Sequence, residues 1–507
     1  MKKLDIGVIV TTLIIVTISC SLAFFAARVV GEPKDINLVA KNVAITFNDT
    51  SIIANGVVSP GWNTTKTFTI TNNSKEEYKY NISIKDLINT FVTEGYLQYK
   101  ITSTNGYNMT EFKDIPKSSA PKDTILAYSV VIPNGVTQSY TIEFKYANDE
   151  SVDQSDDMGK KLSGTLFITE GTEEPVTLLS QILNDNPTRS TRSNNNNGTN
   201  DFATPLTATT TGTLFTSTES ITGITDSPKE VYYYAGNTTN NWVKFAGLYW
   251  RIIRTNHDSS IRLLYVGTSH DTTTGNIGTS LFNQNYDGPK YVGYKYGEDT
   301  SLDTIRNNTT DSTIKTFIDS WYQNNLTNYT KYLSTSAVYC NDRSLGTGQT
   351  YSASSEFNFA PYYRMDYNTN GAKANPSYNC TDTRDAFSVD NTSAKLDYPI
   401  GLMTADEIAF AGGVAFIKMS TPYAWFISNS LGNQVSTTWW TLSPISWGGA
   451  DPRVWRWYSN SLRLSNGFMT TSYSVRPAIS LKSCIKYSTG NGTPETPYEI
   501  VETTSGC

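Results

Sequence analysis

The sequence predicts an α+β chain, with a membrane helix, a β-sandwich, a disordered linker and a mixed α+β domain following one another. Three observations carry that prediction. An apolar run near the start is long enough for a bilayer, residues 35–172 alternate with a period of two, and the second half mixes strand-like and helix-like periodicity. That half closes on an aromatic stretch from Trp439 to Leu481, which holds five of the ten tryptophans in 507 residues.

Size and composition set the bounds. Single cores rarely grow past about 250–300 residues, so this length predicts two or three domains. Only 17% of residues are charged, and 32 tyrosines with abundant Asn, Thr and Ser keep the surface wet. That composition favours β-structure and an extracellular setting. A net charge of −6 argues against a nucleic-acid partner, which would want a basic stripe. Two histidines, His257 and His270, leave little for acid–base chemistry or metal ligation. No catalytic residue, metal site or cofactor is expected. Of five cysteines, Cys20 lies in the N-terminal apolar run, leaving Cys340, Cys380, Cys484 and Cys507. None sits in a Cys-x-x-Cys pair, and two disulfides, Cys340 with Cys380 and Cys484 with Cys507, fit an oxidising exterior; four free thiols are the alternative.

Residues 1–34 read as a transmembrane anchor. Lys2 and Lys3 precede the run from Ile6 to Ala27, and about twenty such residues span a bilayer as a helix. The paired lysines place the amino end inside and the rest of the chain on the extracellular face. A cleaved signal peptide is the rival, though Phe24 and Phe25 interrupt any small-x-small site.

Residues 35–172 carry FTITN, YNISI, LQYKIT, YSVVIP, YTIEFKY and GTLFIT, separated by turns such as Ser59-Pro60-Gly61 and Pro133-Asn134-Gly135. Short alternating strands at this spacing predict an antiparallel sandwich, a stalk. Residues 173–226 read as a flexible linker. Leu178–Leu183 could form a short helix, and RSTRSNNNNGTN with the following Thr/Ser run cannot bury enough apolar area to order itself.

The ligand-binding domain is placed at 227–482, with 483–507 as a tail. Strands are expected near Val231–Ala235, Trp242–Thr255 and Ile261–Val266. Ile314, Phe317, Ile318 and Trp321 take helical spacing behind Asp311 or Ser312. Thr404 and Glu407 form a capping box for a second helix that ends at Gly412-Gly413. Asp406 and Glu407 fit the first turn of that helix better than an acid–base pair.

The ordered series NWVKFAGLYWRIIR, DSWYQNNL, YCNDRS, YPIGLMTADEIAFAGG, WWTLSP, SVRPAISLK and GNGTPETPYEI resembles a group of bacterial surface proteins. Their terminal domain has a C-type-lectin-like fold related to the formylglycine-generating enzyme. The resemblance covers about Val231 to Ile500, and the earlier sandwich is similar to immunoglobulin-like domains of Gram-positive surface proteins. In some members the segment between WW-x-x-SP and VRPA is rewritten by a diversity-generating retroelement, and Ser446 to Ser474 is similar to such a region. The calcium-binding tripeptides of animal C-type lectins are absent. So is a close cysteine pair of the oxidase type, since Cys484 and Cys507 lie beyond the VRPA strand.

The resemblance implies that Trp439–Pro444 and Val475–Leu481 are scaffold strands and that the chain between them leaves the core and returns. Val454 and Trp455 suit an anchoring return. The exposed ligand-contacting residues are then expected to be Trp447, Asp451, Arg453, Arg456, Trp457, Tyr458, Arg463, Asn466, Phe468 and Tyr473, a composition typical of binding surfaces. Arg476, inside an apolar strand, is expected to hold carbonyls or a carboxylate. Together these features predict a cell-surface receptor or adhesin, not an enzyme, with an unknown protein or glycan ligand. A structural fibre or wall-associated protein is the first alternative and an oxidase relative the second.

Overall fold

A computed structural model describes residues 36–40, 43–49, 58–93, 95–192, 202, 213–365, 374–419, 424–503 and 506–507, with backbone alone for 36–40, 43–49 and 213. The chain divides into two compact units, Met1–Glu174 and Pro175–Cys507.

In the first unit, alternating sequence becomes two antiparallel sheets around one core. The larger runs Ile36–Ala40, Val43–Asp49, Asn63–Asn72, Thr137–Tyr146, Leu97–Ser103 and Lys113–Asp114 in that spatial order; the smaller runs Ser118–Ile132, Tyr78–Asn89 and Leu162–Glu170. Every second side chain of Asn63–Asn72 and Thr137–Tyr146 turns inward, so Phe68, Ile70, Tyr140 and Ile142 meet Ile82 and Leu166. The Phe68 and Tyr140 rings stack at 5.0 Å. Gly135, at φ 69°, closes the turn before Thr137 and donates to the Asn72 carbonyl at 3.0 Å, a backbone conformation that glycine adopts freely.

The second unit is built on a long sheet in the order Arg189–Thr191, Thr213–Glu219, Lys229–Ala235, Leu248–Thr255, Trp242–Phe245, Tyr498–Ile500 and Tyr487–Thr489. Ile261–Gly267 also joins Leu248–Thr255, and passes the sheet on to Pro477–Leu481 and Ile400–Leu402. A separate sheet orders Thr279–Ser280, Tyr473–Ser474, Trp439–Trp447, Pro452–Tyr458 and Arg463–Phe468, with Phe357–Asn358 added to Trp439–Trp447. Helix Thr313–Asn325 is capped by the Ser312 hydroxyl and buries Ile314, Ile318 and Tyr322. Helix Ala405–Phe410 carries the reciprocal Thr404–Glu407 box.

The architecture corrects the expected fold class. The chain is mostly β, 39% strand against 14% helix, rather than α+β. Among the described residues the helical spacing yields one helix of 13 residues, Thr313–Asn325, while the Tyr-, Asn- and Thr-rich stretches run extended or as loops. The apolar run proposed as a membrane helix lies outside the described residues, and no described helix is long and apolar enough to cross a membrane.

The expected linker is largely part of the second unit. Thr177 caps helix Leu178–Asp185, whose Leu178 and Ile182 are buried in the core. The Leu178 N–H donates to Ile485 O at 2.8 Å, and the Tyr487 N–H donates to Val176 O at 2.9 Å. Asp185 accepts from the Tyr498 hydroxyl at 2.6 Å. The tail at 483–507 thus supplies two strands of the long sheet and the partner for the segment that opens the unit. The asparagine run at 194–197 lies outside the described residues.

Candidate functional site

The expected binding stretch folds as an antiparallel meander on an aromatic base. All nine residues of Trp439–Trp447 are buried. The strand lies between Pro452–Tyr458 on one side and Tyr473–Ser474 and Phe357–Asn358 on the other, and irregular pairing between Trp440 and Ser446 lets residues of both parities turn inward. Val454, Trp455 and Trp457 are buried from the next strand. Trp455 meets Phe416 at 5.3 Å, and Trp457 stands edge-on to Phe426 at 4.9 Å. Beneath them the Arg476 guanidinium donates to Phe426 O at 2.6 Å and Tyr265 O at 3.1 Å and lies 5.2 Å from the Trp439 ring. Burial lowers its pKa to about 9. It is a scaffold cation.

Of the ten expected contact residues, Trp447 and Trp457 are core, at 2% and 0% exposure, and are corrected as such. Trp447 is covered because Phe357 and Pro452 pair with it from both sides. The other eight are at least partly exposed but do not share one face. The pairing of Pro452–Tyr458 with Arg463–Phe468 opposes Arg453 to Phe468, Trp455 to Asn466 and Tyr458 to Arg463. Side chains alternate across a strand, so Arg453, Asn466 and Phe468 stand on one side and Arg456, Tyr458 and Arg463 on the other.

On the first side Arg453 covers the Phe468 ring at 5.1 Å and pairs with Asp451 at 3.4 Å. On the second, the Arg456 guanidinium lies 4.5 Å from the Tyr458 ring and 4.4 Å from that of Tyr473. Tyr473 is held in turn by Trp440, with ring centroids 4.8 Å apart. Trp440 is fixed by its indole N–H, which donates to Ser280 O at 2.9 Å. Arg456 Nε donates to Asn466 O at 2.7 Å, and Arg463 donates to Phe416 O at 2.9 Å.

A second polar concavity lies deeper, with about 20 Å³ of space, room for about one water. Arg254, Arg262, Arg364, Asp342 and Asp406 line it together with Tyr378 and Cys340. Its charges are consumed by ion pairs. Arg254 holds Glu219 and Glu407, each at 2.8 Å; Arg262 holds Glu407 at 2.6 Å; Arg364 holds Asp342 at 2.6 Å and Asp406 at 2.9 Å. Burial alone would raise the Glu219 carboxyl, but the Arg254 charge, joined by His257 and Arg262, brings it down to about 2. Burial likewise pushes the Tyr378 hydroxyl well up. Sequence reasoning missed this network. Its signal was two arginines, Arg254 and Arg262, inside otherwise apolar strands.

Asp311, Asp319 and Asp397 come close enough to hold a metal ion, but the Lys315 ammonium occupies their centre, 3.1, 2.5 and 2.8 Å from them. Cys340 and Cys380 are joined with 2.06 Å between sulfurs, and Cys484 is joined to Cys507.

No protein-family model matches the chain, and no curated protein does. Among solved structures, one described as "AvmM Catalyzes Macrocyclization in Alchivemycin A Biosynthesis" is similar at 12% identity and a TM-score of 0.15, covering 29% of this chain and 99% of its own. A likeness at that level carries no argument.

Proposed function

We propose that this is an extracellular binding protein, a receptor or adhesin, whose second unit meets a protein or glycan ligand with the side chains of the 452–474 meander. One observation carries the reading. Half-exposed Arg456, Tyr458 and Tyr473 are held against one another, with Tyr473 packed on the fully buried Trp440, so their positions are set before any partner arrives. Preorganised aromatic and arginine side chains lose little freedom on binding, which is why such residues dominate hot spots. Two disulfides and a surface rich in Asn, Thr and Tyr agree with an extracellular setting. The ordered motifs that resemble those of bacterial surface proteins support the same reading.

The test is a glycan array probed alongside immobilised extracellular proteins, with the wild type and two variants, Tyr458→Ala and Tyr473→Ala. Each variant should lose binding by about tenfold or more while melting within about 2 °C of wild type. Variants that bind every wild-type hit undiminished would move the contact surface elsewhere.

A further inference from the structure

The binding reading leaves open what the ligand presents, and the charges of the meander narrow it. Most arginines elsewhere in the unit have a carboxylate partner or are deeply buried among carbonyls, and among the described residues the exposed Arg189 stands alone over the Tyr232 ring with one bond to Leu183 O. Arg254 has two glutamates, Arg364 has two aspartates, Arg343 pairs with Asp385 at 2.7 Å, and even the surface Arg453 has Asp451. The deeply buried Arg476 gives both terminal nitrogens to carbonyls, and Arg251 bonds the Thr238 carbonyl and the Asn241 side chain. Arg456 and Arg463 follow neither pattern. Each is half-buried, each gives one nitrogen to a backbone carbonyl, and neither has a carboxylate partner among the described residues.

They are also close to one another. Tyr458 faces Arg463 across the strand pair and Arg456 faces Ser465, so the two arginines are diagonal neighbours on one face. Burial pulls the Arg456 guanidinium below its ordinary value, and the Arg463 charge adds to the pull. Two like charges held together in a chain of net charge −6 mark a place where the counter-charge comes from outside. A guanidinium has five N–H donors in a planar fork that matches the oxygens of carboxylate, sulfate or phosphate. With Nε of Arg456 committed to Asn466 O, its two terminal nitrogens remain for a ligand, and the rings of Tyr458 and Tyr473 fix the plane of the fork.

Resting on the proposed binding surface, we infer that Arg456 and Arg463 form an oxyanion subsite that takes an acidic group of the ligand. Tyr458 and Tyr473 orient the Arg456 fork, and the shared chemistry is a compact anion with at least two coplanar oxygens.

The test uses the whole protein, labelled with 13C at arginine Cζ and titrated separately with glucuronate, inorganic sulfate and inorganic phosphate at an ionic strength fixed with chloride. Saturable shifts of two Cζ resonances, absent from Arg456→Gln and Arg463→Gln, are expected for at least one anion. The anion that saturates at the lowest concentration identifies the group. Arg456→Lys keeps the charge but loses the fork and should weaken that titration several-fold. Failure of all three anions to saturate would overturn the subsite, as would saturation that persists in both glutamine variants. If the anions fail while Tyr473→Ala still abolishes array binding, the surface stands and only its acidic preference falls.

Discussion

Replacing Glu407 with alanine tests the deepest electrostatic commitment in the molecule. Glu407 is 1% exposed, and one of its oxygens accepts from Arg254 at 2.8 Å and Arg262 at 2.6 Å. The other accepts from the Thr404 N–H at 2.9 Å, completing the helix cap. Removal leaves Arg254 with Glu219, but strands Arg262 on the Val338 carbonyl and the Tyr339 ring, 4.4 Å away. Leaving a buried charge without its partner costs about 3–5 kcal/mol. Half of the capping box goes as well, worth about 1 kcal/mol, though the two losses share an atom group and do not add fully. We take about 4 kcal/mol. A unit of some 330 residues unfolds with an entropy of about 0.7 kcal/mol/K, so the Tm should fall by about 6 °C.

Differential scanning calorimetry should show that fall in the transition of the second unit and no change in that of the first. Glu407→Gln, which keeps an acceptor without the charge, should lose less. Pairing Glu407→Ala with Arg262→Met should recover part of the loss, since the stranded cation is gone. A Glu407→Ala protein that melts within 1 °C of wild type would refute the reasoning, because the ion pairs would then contribute nothing net.

Other outcomes follow from the same structure. The folded pKa of Glu219 is depressed from 4.5 to about 2, so its contribution is complete above pH 4.5 and is lost as pH falls from there through about 2; stability of the second unit measured by denaturant across that window should decline, and less so in Glu219→Gln. The Cys340–Cys380 link closes a separation of 40 residues, which by loop entropy contributes about 4 kcal/mol; unreduced peptide mapping should recover the linked pair, and Cys340→Ser with Cys380→Ser should lower the Tm by about 6 °C. If Ser446 to Ser474 is rewritten by a retroelement, the nearby coding DNA holds a near-copy whose adenines fall at codons for residues such as Arg456 and Tyr473. Adenines at the buried Val454, Trp455 and Trp457 instead would contradict the placement of the contact surface.

Local signals were legible where they decide structure alone. The alternation of Phe68 and Ile70 with Thr67 and Thr69, the apolar spacing from Ile314 to Trp321 and the Thr404–Glu407 box each specify an element from within a few residues. Tryptophans were not legible in that way. A ring that is large, rigid and partly polar suits a core and a binding surface equally, and Trp447 and Trp457 were decided by neighbours such as Phe357 and Phe426 that lie far off in sequence. In the segment from Val176 to Asp185 the helix was legible, but its packing was not, for the same reason. Its polar flanks cannot order themselves, and its partners Ile485, Tyr487 and Tyr498 arrive some 300 residues later.

That late pairing also has a mechanical meaning. Val176 and Thr177 run antiparallel to Lys486 and Tyr487, so the unit begins and ends on one edge of the long sheet, with Cys484 tied to Cys507 just beyond. Tension arriving through Pro175 meets this seam first. From the 439–474 sheet the chain runs on through Pro477–Leu481 to Ile485, whose carbonyl holds the Leu178 N–H in this seam. Pulled from its amino side, the molecule should give way by peeling helix Leu178–Asp185 from the tail, while the arginines and tyrosines of the meander keep their places and any bound partner stays attached.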